Sequence, residues 1–231
     1  MFIPVYDYNP LRSIRLQYVT FGLILVNVAV FALQISGMPL DTIISFAVVP
    51  AELLNLGAPT LSPTVGQGIV IPERLTPLTY MFFHGDIFHL ASNMLFLWVF
   101  GDNVEDALGH VKYLFFYLAC GVAGGLAHAL MTPDPTTPLI GASGAVAGVI
   151  AAYLMLHPRV RVWVLVMRFI PIRITAAFAL GAWILTQIVM VLIPQAGPVA
   201  WWAHIGGLIT GAILVVMLRR PGVPLFDRGP V

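Results

Sequence analysis

The chain has 231 residues, of which 59% are hydrophobic and only 9% charged, with a mean hydropathy of +0.94. Soluble globular domains run near about 25% charged residues, so this composition excludes a cytosolic enzyme, a nucleic-acid binder and a disordered scaffold. The net charge of +1 gives no field for steering a polyanion, and the single cysteine, Cys120, excludes an internal disulfide and a cysteine-rich metal site.

Taken in chain order, residues 1–18 carry Asp7, Pro10, Arg12 and Arg15 and read as a cytoplasmic segment. The apolar run 19–35 is longer than a signal-peptide core and has no small-x-small site to close it, which predicts a first membrane helix. The connection 36–77 contains Pro39, Pro50, Pro59, Pro63 and Pro72 and reads as a long external loop. Its apolar stretch 43–49 is too short to span and predicts an interfacial segment. Further helices are predicted over 87–101, 111–131, 143–156, 174–193 and 199–218, separated by Pro/Gly punctuation. The fourth of the six is short. The stretch 162–170 is too short to span and is flanked by arginines, and 219–231 reads as a cytoplasmic tail. The fold class expected is all-α: a polytopic membrane protein whose residues 1–231 form one domain.

Orientation follows from charge. With the N-terminus in the cytoplasm and six helices alternating, Arg12, Arg15, Lys112, Arg159, Arg161, Arg168, Arg173, Arg219, Arg220 and Arg228 fall inside and only Arg74 falls outside. The positive-inside rule selects this orientation, with both termini cytoplasmic. No leader precedes the first helix in this reading, so the expected location is a cell inner (plasma) membrane. No internal repeat supports an inverted-repeat transporter.

Polar groups at depth are expensive and point to function. The candidates are His89 and Asn93 on the second predicted helix, His128 on the third, Ser143 on the fourth and His204 on the sixth. Ser143 lies 16 residues from Arg159, His204 15 from Arg219, His89 16 from Glu105 and His128 16 from Lys112. At helical rise these are all ~22–24 Å above the inner charges, at one level within the bilayer. The fourth helix opens at Ser143, so the segment 138–141 must be non-helical backbone at depth, tolerated only where protein or a water-filled cavity surrounds it. A serine there faces free N–H groups and the positive end of a helix dipole, which suits a nucleophile and a nearby oxyanion. Gly144-xxx-Gly148 and Gly207-xxx-Gly211 are small-residue faces that permit close helix approach. If those faces meet, Ser143 and His204 come within hydrogen-bond reach as nucleophile and general base. No Asp or Glu shares their depth.

A Gly-x-Ser-Gly tetrapeptide alone carries little weight in a chain with 21 glycines. In combination the motifs resemble the rhomboid intramembrane serine proteases over about residues 79–211. The residues are His84, then His89-Leu-Ala-Ser-Asn93; Glu105-Asp-Ala-Leu-Gly109; Gly141-Ala-Ser143-Gly144; and Ala203-His204-x-Gly206-Gly207-x-x-x-Gly211. The resemblance implies a six-helix bundle that cleaves membrane-spanning segments of other proteins, needing neither metal nor cofactor. It implies Ser143 as nucleophile and His204 as general base. Asn93, His89 and the Ser143 backbone N–H would form the oxyanion hole. Gly141 and Gly144 would permit the tight loop and helix packing. Substrate would enter between the second and fifth helices, under a cap at 195–198.

Two positions depart from the family's pattern. Glu73-Arg74-Leu75 stands near the place of a Trp-Arg pair, without the Trp. Ala147 stands where some members carry a Tyr stacked on the catalytic histidine, which leaves open what holds the ring of His204; Trp201 and Trp202 are candidates. His128 has no motif role and is read as a hydrogen-bonding partner beside the site. His84 and Asp86 would order the outer mouth, His110 and His157 would be solvated, and Cys120 would be a small core residue. Two other readings remain at this point. One is a catalytically silent scaffold or quality-control binding protein of the same fold. The other is a metal transporter using the histidines, which the lack of a carboxylate at depth disfavours.

Overall fold

The structure is a computed structural model, and it describes residues 2–57, 71–166, 169–193 and 199–227. Pro59, Pro63, Arg168, Arg228 and the cap at 195–198 lie outside the described residues. Helix α1 (Tyr18–Ile35) is followed by two short helices, α2 (Leu40–Phe46) and α3 (Pro50–Leu53). After the one-turn α4 (Thr76–Thr79) come α5 (Ile87–Leu108), α6 (His110–Met131), α7 (Ser143–Leu156), α8 (Ala176–Val191) and α9 (Trp201–Leu218). The expected starts and ends are met within two residues, except that α5 continues to Leu108 instead of ending at Gly101. Among the described residues three helices, α1, α6 and α9, are long and apolar enough to cross a membrane. Helices α7 and α8 are shorter apolar helices of 14 and 16 residues.

A small sheet joins the helices. Strands β1 (Phe2–Asp7), β2 (Arg161–Val166) and β3 (Ile170–Thr175) pair antiparallel in that order. Val162 and Val164 point inward and are buried, while Arg161 and Trp163 face out, the period-two alternation of a strand. The sheet is an addition to the expected helices and loops. Its first strand comes from the N-terminal segment and packs beside α5.

Acidic residues at the end of α5 explain why that helix continues. Glu105 is fully buried. Its carboxylate accepts from the backbone N–H of Val19 (3.0 Å), the N–H of Thr20 (2.8 Å) and the Thr20 hydroxyl (2.7 Å). It therefore caps α1, whose own preceding residue, Gln17, provides no side-chain cap. The next residue, Asp106, accepts from the N–H groups of Arg12, Ser13 and Ile14 at 2.7–2.9 Å. Two carboxylates thus fasten the N-terminal segment to the C-terminal end of α5. Asp7 is fastened too: the Tyr153 hydroxyl of α7 donates to its carboxylate at 2.5 Å. His110 meets Glu105 at 2.5 Å and is only partly solvated.

The core sits between α5, α6, α7 and α9 and is rich in fully buried large side chains, among them Phe100, Tyr113, Tyr117 and Tyr153. Cys120 is buried in it as expected. Helix α7 is the centre of this packing: nearly all of its residues are buried.

Candidate active site

The loop ahead of α7 is the point on which the site is built. Several of its backbone groups are paired with protein. The Leu139 N–H donates to the carbonyl of Val48 (2.8 Å), and Val48 returns the bond at 3.1 Å. Gly141 N–H donates to the Tyr80 carbonyl at 3.0 Å, and Ala142 N–H to Nε2 of His84 at 3.4 Å. The stretch expected at the membrane interface is therefore a brace: Val48 follows α2 and clasps the loop directly. His84 is buried and holds the residue before Ser143. Asp86 caps α5, accepting from the N–H groups of Phe88 and His89, both at 2.8 Å.

Gly141 sits at φ +126°, a conformation closed to L side chains, and a Cβ there would lie 2.7 Å from the His89 ring. The glycine thus allows the chain to turn into α7 while His89 packs against it. The first i→i−4 bond of α7 runs from Val146 to Ala142 (3.0 Å), so the N–H groups of Ser143, Gly144 and Ala145 precede it.

Helices α7 and α9 meet backbone to backbone. A Cβ on Gly207 would overlap the Gly144 carbonyl, and one on Gly211 the Gly148 carbonyl. Gly144 itself faces the Tyr80 hydroxyl and the Ala203 carbonyl, which a Cβ would meet at 3.0 and 3.3 Å, tighter than ordinary contact. Only glycine permits this approach. The approach sets the distance between the two helices' polar residues: His204 Nε2 lies 2.8 Å from Ser143 Oγ. His204 is buried, and Ser143 is half-buried at the wall of a cavity of about 850 Å3. His89, Asn93, His128 and Trp201 line the same cavity. The Asn93 side-chain amide donates to the His89 carbonyl one turn back at 3.0 Å, which fixes the amide's position on α5.

A serine hydroxyl against an imidazole nitrogen, at a helix N-terminus and beside amide and imidazole donors, is an arrangement for acyl transfer. The family model of the Rhomboid domain matches residues 73–221, which is most of the chain. The protein belongs to the rhomboid family. Among curated proteins, it is 30% identical over 161 residues to the RHOMBOID-like protein 12, mitochondrial, of Arabidopsis thaliana, covering 63% of this chain and 46% of that one. It is 30% identical over 139 residues to the human presenilin-associated rhomboid-like protein, mitochondrial, covering 56% and 34%. It is 42% identical over 77 residues to the rhomboid protease GluP of Bacillus subtilis, covering 33% and 15%. The chain spans less than half the length of each of these relatives.

This rhomboid domain also contains what the sequence reading missed. Gln187 of α8 is buried, and its Oε1 lies 2.7 Å from Nδ1 of His204. Its Nε2 donates to the Trp183 carbonyl at 2.9 Å. The Trp183 and Trp201 rings stand 5.8 Å and 6.0 Å from the His204 ring, at 37° and 88°. The ring is therefore held by α8 and by its own helix, where Ala147 of α7 offers nothing but a methyl group. The signal was present: a glutamine in a 16-residue apolar helix is costly unless partnered. His128 differs from expectation. It lines the cavity, but neither ring nitrogen has a hydrogen-bond partner among the described residues. His157 is half-buried instead of solvated, edge-on to Tyr153 at 5.3 Å.

Proposed function

We propose that this rhomboid-family membrane protein is an intramembrane serine endopeptidase that cleaves transmembrane segments of other proteins with a Ser143–His204 dyad. The observation that carries the reading is the 2.8 Å contact between Ser143 Oγ and His204 Nε2 at the mouth of α7. Ser143 Oγ attacks the substrate carbonyl while its proton passes to Nε2 of His204. The oxyanion is taken by the Ser143 backbone N–H, the Asn93 amide and the His89 ring. Collapse expels the amine of the downstream segment, which leaves with the proton from Nε2. Water then attacks the acyl-enzyme, giving its proton to Nε2, and the reformed serine regains a proton from it. The chemistry is complete with these residues, without metal or cofactor.

In this reading α1, α5, α6, α7, α8 and α9 all cross the membrane, within a single domain spanning 1–231 and with both termini cytoplasmic. A 14-residue α7 covers only ~21 Å, and the protein-clasped loop before it completes the crossing. Glu105, Asp106 and the sheet then lie at the inner face, where the basic residues of β2 and β3 also gather. A cell inner (plasma) membrane is the location in this reading, although two of the relatives named above are mitochondrial proteins. Incubation of the reconstituted protein with a transmembrane substrate tests the function: Ser143→Ala is expected to abolish cleavage and leave folding intact. Cleavage retained by Ser143→Ala removes the proposed nucleophile, and no cleavage by folded wild type favours a silent scaffold.

A further inference from the structure

Hydrogen-bond chemistry at His204 leads further than the dyad. A neutral imidazole has one N–H and one lone pair, and which nitrogen has which is set by its partners. Only the form with the proton on Nδ1 leaves Nε2 free to take the proton of Ser143. No carboxylate contacts His204 among the described residues, so the ring needs another group to select that form.

Gln187 is that group, and its own orientation is determined. Its amide N–H donates to the Trp183 carbonyl one turn back, at 2.9 Å. Turning the amide over would set its oxygen against that carbonyl, acceptor against acceptor. The carbonyl oxygen of Gln187 therefore faces His204 at 2.7 Å, and an acceptor there requires Nδ1 to be the donor. The lone pair then falls on Nε2, 2.8 Å from Ser143 Oγ. The contrast with a soluble serine protease is instructive. There an amide in place of the carboxylate costs about 10⁴-fold because the histidine adopts the wrong tautomer. Here the backbone of α8 uses up the amide's donor end, and only the acceptor end reaches the ring.

Burial points the same way. Of the buried residues of α8, three lie in its first turn and a half, and Gln187 alone lies beyond. Beyond Leu180, where Trp183 and Ile184 are only partly buried, the one fully buried side chain of this apolar helix is polar. A glutamine in such a place gains by bonding across helices, and the bond it makes is to His204.

We propose that Gln187 is a positioning residue that fixes the tautomer and ring orientation of His204, presenting an unprotonated Nε2 to Ser143. The proposal rests on the protease reading for its catalytic consequence, but the tautomer can be read without any turnover. The protein is labelled with [15N]histidine and its imidazole 15N resonances are recorded in micelles at neutral pH, His204 being assigned by loss of its signals in His204→Ala. In wild type, His204 is expected with Nδ1 protonated and Nε2 bare. In Gln187→Leu, which keeps bulk and removes the acceptor, the Nε2-protonated form is expected to appear. Gln187→Glu, which keeps an acceptor, is expected to restore the wild-type pattern. Against a transmembrane substrate, Gln187→Leu should lower kcat by about 10²-fold with KM unchanged, and Gln187→Glu should recover most of it.

A wild-type His204 protonated on Nε2 overturns the proposal whatever the variants do. So does a Gln187→Leu protein with wild-type tautomer and kcat, or equal losses in the leucine and glutamate variants with no change of tautomer. If instead Ser143→Ala and His204→Ala cleave normally, the protease reading fails while the spectra still decide the role of Gln187.

Discussion

Glu105→Ala is a sharp test of how the N-terminal segment is held. The wild-type carboxylate is fully buried and serves the N–H groups of Val19 and Thr20, the Thr20 hydroxyl and the ring of His110. Val19 and His110 are partly open to solvent and regain partners from water. Thr20 is buried, and both its donors lose their acceptor. Each buried donor left unpaired costs about 1–3 kcal/mol, so the variant should lose about 2–6 kcal/mol. That is a large share of the roughly 5–15 kcal/mol typical of a folded domain. Glu105→Gln keeps shape and one acceptor oxygen and should lose less. Unfolding of the purified protein in micelles, followed by circular dichroism, measures both. Glu105 lies 16 residues from His89, or ~24 Å along α5, so cleavage at permissive temperature should survive. A Glu105→Ala protein within about 0.5 kcal/mol of wild type would refute the capping argument.

Other expectations concern the site and the region around the sheet. Gly207→Val should force α9 away from the Gly144 carbonyl, separating His204 from Ser143 and lowering cleavage by about 10²-fold or more; a cleavage assay on protein shown to be folded reads this. Burial raises the Asp7 carboxyl from 3.8 to about 6, so its contribution to stability is full below pH 3.8 and lost as pH rises through 6. Burial lowers His157 from 6.5 to about 4, so its contribution is full above pH 6.5 and lost as pH falls through 4. The two oppose each other in wild type. In unfolding midpoints measured against pH, Asp7→Asn should therefore weaken on acidification and His157→Gln should strengthen. The proposed dyad uses no metal in either half-reaction, so treatment with a chelator should leave cleavage unchanged.

Most of the site was legible in the sequence because membrane burial limits what polar residues can do. Ser143, His204, His89 and Asn93 stood out as polar groups at one depth, and the cavity wall brings them together. The glycines of α7 and α9 announced a close crossing, and the backbones do touch there. Gln187 was hidden by its surroundings: helical periodicity says little about facing in a helix apolar on all sides, so only the fold shows that it points at His204. The sheet was hidden for a similar reason. Val162 and Val164 alternate with other apolar residues, and a strand half buried in that way has no polar face to reveal its period. Glu105 and Asp106 fall beyond the predicted end of the second helix at 101, whereas in the structure they lie on α5 and their carboxylates satisfy N–H groups of a segment some 90 residues earlier. Such long-range caps leave no local signature.

The central claim, a serine activated by a histidine within the membrane domain, is tested most directly by a fluorophosphonate probe. The purified, detergent-solubilised protein would be treated beside Ser143→Ala and His204→Ala variants, all verified as folded. The account predicts covalent labelling of the wild type alone. Labelling of Ser143→Ala, equal labelling of His204→Ala, or no labelling of folded wild type would contradict it.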